Sequence, residues 1–228
     1  DYDGISDGDE ADNGSDPLDA GDPPFDGLLA LDGVGDHVLL PLDSRFALLN
    51  GWTLEAWVYP NEFGGAEDDI IISRTVGLDN YVLGIDADGR PYVRFTDHAS
   101  ATVEIKVAAV HAIGINEWTH LAAAFDPDGE TLRVFINGEE RAGILTRSQN
   151  IINGPGPVES VIGKGFKGWL DEVRIWTRAR TPEQIVGMRN TLLFNPAGTT
   201  SYLRFDHNEI DLAGNTYIID YTQSVDWS

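Results

Sequence analysis

The chain has 228 residues, 38 acidic and 15 basic, for a formal net charge of -23, and it contains no cysteine. An acidic excess of this size repels nucleic acid and anionic lipid and excludes both as partners; the absence of thiols excludes disulfide frameworks, thiolate zinc sites and cysteine nucleophiles. No run of about 18 apolar residues is present to insert into a membrane, and the length suits one large all-β domain with a small appendage.

The first predicted element is the opening "DYDGISDGDE". Against the calcium-loop pattern D-x-D-x-D-G-x5-E, Asp1, Asp3, Gly4, Ile5, Asp7 and Glu10 fall on loop positions three, five, six, seven, nine and twelve. Acidic oxygens and the Ile5 carbonyl then converge on one Ca2+ ion, with Gly4 taking the sharp bend. The first ligand position falls before Asp1, so the chain reads as a piece of a longer polypeptide. Asp12, Asn13, Asp16 and Asp19 continue the pattern more loosely, as further ligands or as a series of turns. Residues 1–24 hold too few apolar side chains to build a core, so Ca2+ organises them or they form a disordered acidic linker. The register, glycine included, favours the ion. A loop short of one carboxylate binds at about 0.1–1 mM, as extracellular modules do, which points to a secreted or cell-surface protein.

After "PLDAGDPPF" the composition changes to short alternating runs separated by Gly, Asp, Asn and Pro, the pattern of an antiparallel sandwich or barrel. In "TLEAWVYP" Leu54, Ala56 and Val58 share one face and Glu55, Trp57 and Tyr59 the other. Tyr81, Leu83 and Ile85, and likewise Leu132, Val134 and Ile136, are predicted to point inward. "DADGR" (86–90) and "DPDGE" (126–130) read as hairpin turns, which gives Asp86, Asp88, Asp126 and Asp128 a local role. One helix is predicted in "TPEQIVGMRN": Thr181 caps it, Pro182 suits its first position, Gln184 completes a capping box, and Ile185 and Met188 pack inward.

The segments "LLALDGVGDHVLLP", "WTLEAWVYP", "EWTHLAAAFDPDGETLRVFINGE" and "GFKGWLDEVRIWTRARTPEQI" occur in the order of the laminin-G-like, concanavalin-A-like jelly rolls of bacterial multidomain surface proteins, and the chain resembles that family over residues 26–190. The opening residues are similar to a thrombospondin type 3 calcium repeat. The expected organisation is a repeat at 1–24 followed by a two-sheet antiparallel jelly roll at 25–228, with 199–228 supplying edge strands or starting a further module. The resemblance implies a calcium ion bridging the loop after the first strand and the late "DEVRIW" strand, with Asp32 and Asp171 as ligands. It also implies glycan binding or adhesion, with a polysaccharide or cell-surface glycan and other modules of the same polypeptide as partners.

Sugar rings present apolar C–H faces that stack on aromatic rings. Trp57, Tyr59 and Tyr92 project away from the core if the alternation holds, and with Trp169 they form the expected ligand surface; Trp118 and Trp176 are expected in the core. Catalysis is disfavoured. The E-x-D-x-E set of jelly-roll glycosidases is missing, because "NEIDLAG" has Ala213 where the second Glu belongs, and Asp171 and Glu172 point to opposite faces. Nor is there a G-x-S-x-G elbow, an H-E-x-x-H zinc motif or a phosphate loop. The reading is a non-catalytic, calcium-binding, glycan-binding or adhesion module. A spacer or protein-docking module and a divergent glycosidase are the alternatives.

Overall fold

The computed structural model describes residues 28–48, 51–65, 69–75, 77–145, 158, 160–191, 193, 197–205 and 218–220. Strands are numbered along the chain. The first sheet runs β1 (Leu29–Asp32), β12 (Lys167–Trp176), β3 (Trp52–Pro60), β8 (Thr119–Asp126), β9 (Thr131–Ile136) and β10 (Glu139–Leu145), and β13 (Thr199–Leu203) shares with β1 the outer side of β12. The second runs β14 (Ile218–Asp220), β2 (His37–Leu39), β11 (Ser160–Ile162), β4 (Asp69–Thr75), β5 (Asp79–Ile85), β6 (Pro91–Thr96) and β7 (Thr102–Lys106). Every pairing is antiparallel, as an all-β chain with short connectors requires. The 199–228 region thus contributes a strand to each sheet.

Period-2 alternation fills the space between the sheets. Leu54, Ala56, Val58, Leu121, Ala123, Phe125, Leu132 and Val134 from the first sheet meet Tyr81, Leu83, Ile85, Val93 and Phe95 from the second. Aromatic rings stitch the two: Phe95 lies 4.7 Å from Phe125 and 6.4 Å from Trp52, centroid to centroid. The buried Tyr81 hydroxyl pairs with the Ser160 hydroxyl at 2.9 Å.

Part of the other face of the first sheet is also buried. One helix, α1 (Pro182–Met188), lies against it, and Ile185 seats on Ala122, Ala124 and Phe135, where small side chains let the helix approach. The capping box is present: Gln184 N–H donates to Thr181 Oγ1 at 3.3 Å and Thr181 N–H to Gln184 Oε1 at 3.1 Å. Met188 departs from the expected inward packing and is 37% exposed. The guanidiniums of Arg174 and Arg180 lie beneath that turn; Arg174 donates to the Met188 carbonyl at the helix end at 2.7 Å and to the Thr191 carbonyl just beyond it at 3.0 Å.

Beneath this roof lies a buried charge network. Glu55 and Arg174 are each 1% exposed. Glu55 has His120 Nε2 at 3.5 Å, Arg180 Nε at 3.6 Å and Arg174 Nη1 at 3.9 Å. Arg174 also bonds Glu172, which accepts from the Tyr202 hydroxyl at 2.6 Å. Burial alone would raise the Glu55 pKa, but the His120 hydrogen bond and the Arg174 charge outweigh it and hold the carboxyl below its ordinary value. Glu172 takes a left-handed backbone (φ 49°) within a register shift of β12 between Asp171 and Arg174, and that bulge aims its carboxylate at Arg174.

Removing one partner of such a cluster strands the other in low dielectric. Arg174→Met is expected to cost about 3–5 kcal/mol, seen as a lower urea midpoint, with part recovered in the Arg174→Met/Glu172→Gln double variant.

Candidate functional site

The four aromatic residues expected to share one ligand surface are separated by the fold. Trp57 does lie on the outer side of β3, but the segment after α1 covers it: the ring is 3% exposed, its Nε1–H donates to the Arg189 carbonyl at 3.0 Å, and its centroid lies 5.3 Å from that of His120. It is therefore a second-layer core residue, and the expectation that it meets ligand is corrected. Two residues further along, beyond the roof, Tyr59 is half-buried and pairs across the sheet with Trp169, also half-buried. Their rings stack with centroids 4.6 Å apart at an interplanar angle of 22°. Trp118, expected in the core, is half-buried beside them at 5.3 Å from Tyr59, because it immediately precedes β8 in the alternation that points His120 outward. Trp176 is fully buried, as expected.

Tyr92 lies on the opposite side of the molecule, on the outer face of the second sheet. It pairs with Gly84, and the ring lies so close over that glycine that an added Cβ would come within 2.7 Å of it. Arg94 and Lys106 flank the ring at 5.4 and 5.5 Å from its centroid, which leaves Tyr92 only 4% exposed. Asp79 holds Arg94 at 2.6 Å and Asp86 holds Lys106 at 3.0 Å. Asp86, Tyr92, Arg94, Glu104 and Lys106 line an open cavity of about 100 Å³. Asp86 does form the expected hairpin turn, taking the backbone N–H groups of Asp88 and Arg90 at 2.9 and 3.0 Å, and it also walls this cleft. Partial burial would raise its pKa, but the Arg90 backbone N–H, Lys106 and the Arg90 side chain outweigh that and hold it at about 2.

Tyr92 thus takes the expected outer face but lies buried beneath Arg94 and Lys106, so the expectation that its ring is open to a ligand is corrected; Arg94, Glu104 and Lys106, which line the cleft, were not among the expected residues. The signal was present, since Arg94 follows Tyr92 at the same-face spacing of two and Glu104 and Lys106 repeat it on β7.

The β1–β12 register does not bring Asp32 and Asp171 together as the expected calcium bridge requires. It sets Asp32 opposite Lys167, four residues from Asp171, so about 13 Å of strand offsets the two backbone positions. Asp32 is exposed and accepts the Val34 N–H at 2.7 Å, whereas Asp171 is fully buried and accepts the Glu172 N–H at 2.7 Å. Among the described residues no group of three or more His, Asp or Glu side chains is arranged to hold a metal. The remaining expected ligands, Asp1, Asp3, Ile5, Asp7, Glu10, Asp12, Asp16 and Asp19, lie outside the described residues.

A family model described as the concanavalin A-like lectin/glucanases superfamily matches residues 32–186, and one described as a bacterial TSP3 repeat matches residues 1–20. No curated protein sequence matches the chain. Among solved structures it is similar to a Bacteroides ovatus protein described as a candidate carbohydrate-binding protein, at TM-score 0.63 and 19% identity over 87% of this chain and 60% of that one. It thus spans about 60% of that protein's length. A heptameric SAP-like pentraxin of Limulus polyphemus aligns at TM-score 0.60 and 18% identity, over 92% of this chain and 97% of the pentraxin. The CBM40 of a Ruminococcus gnavus IT-sialidase, bound to α2,3-sialyllactose, aligns at TM-score 0.54 and 10% identity over 71% and 96%. At these identities the likenesses establish the fold.

Two measurements check the placements. Trp57→Ala is expected to destabilise the domain by about 3–5 kcal/mol, as removal of a buried indole does, with a large fall in Tm. The depressed carboxyl of Asp86 adds stability in full above the unfolded value of about 4 and loses it as pH falls toward 2, so Asp86→Asn should flatten the acid limb of the stability profile over that window.

Proposed function

The chain belongs to the concanavalin A-like lectin/glucanases superfamily, and on that premise we propose that it is a non-catalytic glycan-binding module of a larger exported bacterial protein, led by a calcium-binding repeat. The observation that carries this reading is the cleft on the outer face of β5 to β7. A sugar hydroxyl both donates and accepts hydrogen bonds. In the cleft, Arg94 and Lys106 only donate and the Asp86 and Glu104 carboxylates only accept, so one hydroxylated ring meets both partners without either sign of charge dominating. Asp79 and Asp86 hold the two cations in place beforehand, which lowers the ordering cost of binding. At about 100 Å³ the cavity is smaller than a pocket that engulfs a small molecule, roughly 300–1,000 Å³. It therefore grips one unit of a longer chain at the surface. Bacterial carbohydrate-binding neighbours of the same fold support the assignment.

Absence of catalysis is proposed on chemical grounds. A glycosidase needs a protonated carboxylic acid of raised pKa beside the scissile bond. Asp86 is held ionised, and Glu55, Asp171 and Glu172 are sealed under the α1 roof. For residues 1–20 the donor set of alternating Asp with Gly4 and Glu10 suits a hard cation that tolerates carboxylate, carbonyl and water ligands.

On a glycan array in millimolar Ca2+ the chain should bind, and Arg94→Ala or Glu104→Ala should weaken that binding about tenfold while Tm stays within a few degrees. An array on which the wild-type chain binds nothing overturns the reading. Calcium is tested separately by titration calorimetry: the chain should bind with a dissociation constant on the order of 0.1–1 mM, and Asp3→Asn/Asp7→Asn should remove that heat. Equal heats in the two proteins would refute it.

A further inference from the structure

Trp169, Tyr59 and Trp118 stand side by side on β12, on β3 and just ahead of β8, forming a row across three neighbouring strands of the first sheet. None of the three belongs to a buried apolar cluster. The sandwich core is complete without them, so three large rings left half-buried on an outer face call for a partner. The row begins where the roof ends: Trp57, next on the same face of β3, is covered by the segment after α1, and Tyr59 is not. Tyr59 stacks on one face of Trp169, and on the other side the cross-strand neighbour is Ala30, whose single methyl leaves the indole face open from that strand.

The border of the row is polar and fixed. The Asn61 amide donates to the Asn116 side-chain carbonyl at 3.2 Å, Asn61 N–H to the Lys167 carbonyl at 2.9 Å and Asn116 N–H to the Pro60 carbonyl at 2.7 Å. Glu62 and Lys167 pair at 3.3 Å, and the exposed Asp32 stands opposite Lys167 in the strand register, so this border is weakly acidic and carries no excess of positive charge to attract an anionic sugar. An indole face left open by its β1 neighbour, with amides beside it and no surplus of cations, matches the apolar face and hydroxyl edge of an uncharged sugar ring.

We propose that this row is a second glycan-binding surface, selective for neutral polysaccharide, and that one module consequently bridges two saccharide chains. The row and the Tyr92 cleft lie on the outer faces of opposite sheets, whose planes are about 10 Å apart before side chains are added, so one sugar unit cannot touch both. The surface stands on its own geometry; only the bridging rests on the glycan-binding role of the cleft. Once one module has bridged two chains, further modules bind between partners that are already tethered, which raises avidity without new contacts.

The test uses the full chain and four insoluble neutral polysaccharides (xylan, arabinan, chitin and β-glucan) in pull-down assays. Trp169→Ala is expected to cut binding to at least one of them about tenfold, while Arg94→Ala/Glu104→Ala retains it. If Trp169→Ala lowers Tm strongly, Ala30→Leu replaces it: the added side chain covers the open indole face without removing a ring, and should give the same loss. The wild-type chain should also turn a mixture of a soluble form of the polysaccharide it pulls down and the best array glycan turbid, and either class of variant should abolish this. Wild-type binding to none of the four, or unchanged binding in both Trp169→Ala and Ala30→Leu, overturns the second surface. Loss of array binding in Arg94→Ala with the row variants silent leaves the cleft reading standing alone. Pull-down lost only in the row variants, with the cleft variant silent on the array, retains the row and removes the bridging.

Discussion

Burying Arg174 between Glu55 and Glu172 imposes a requirement on the rest of the structure: three charges on the outer face of a sheet are tolerable only when something excludes water and supplies further hydrogen bonds. The α1 segment meets both conditions. Its carbonyls at Met188 and Thr191 accept from Arg174, Arg180 stacks 3.8 Å over Trp176, and Ile185 fills the adjoining alanine floor. The seat holds a seven-residue helix that would be marginal alone in water.

That roof also partitions the surface. It seals Trp57, His120 and the acidic residues of β12, and it leaves Tyr59, Trp118 and Trp169 at its edge. Among the described residues the second sheet has no such cover over β5 to β7, and there the charges remain at the surface as paired ions around Tyr92. The same residue types behave differently according to solvent access: sealed, they lock an element in place, and open, they leave donors and acceptors at the surface.

The large acidic excess is distributed in the same manner. Many described carboxylates bind their own loops, as Asp32, Asp43, Asp86, Asp97 and Asp126 do by accepting backbone N–H groups. The densest acidic stretch, residues 1–20, coincides with the match to the bacterial TSP3 repeat.

Much of the sandwich was legible in the chain because its causes are local. The inward sets Tyr81, Leu83, Ile85 and Leu132, Val134, Ile136 follow from a period of two. The turns at Asp86 and Asp126 follow from Asp-Gly pairs, and the start of α1 follows from Thr181, Pro182 and Gln184. Alternation also showed that Glu55, Trp57 and Tyr59 leave the core. What alternation could not decide is whether an outward residue stays in solvent, since Trp57 is covered by Arg189, 132 positions away in sequence. Nor could it place Asp32 opposite Lys167 instead of near Asp171, or send Tyr92 to the sheet opposite Tyr59. Register and roofing are set by long-range pairing between segments that carry no mark of each other. The faces of each strand were therefore readable from the sequence, while the neighbours of each face existed only once the chain had closed on itself.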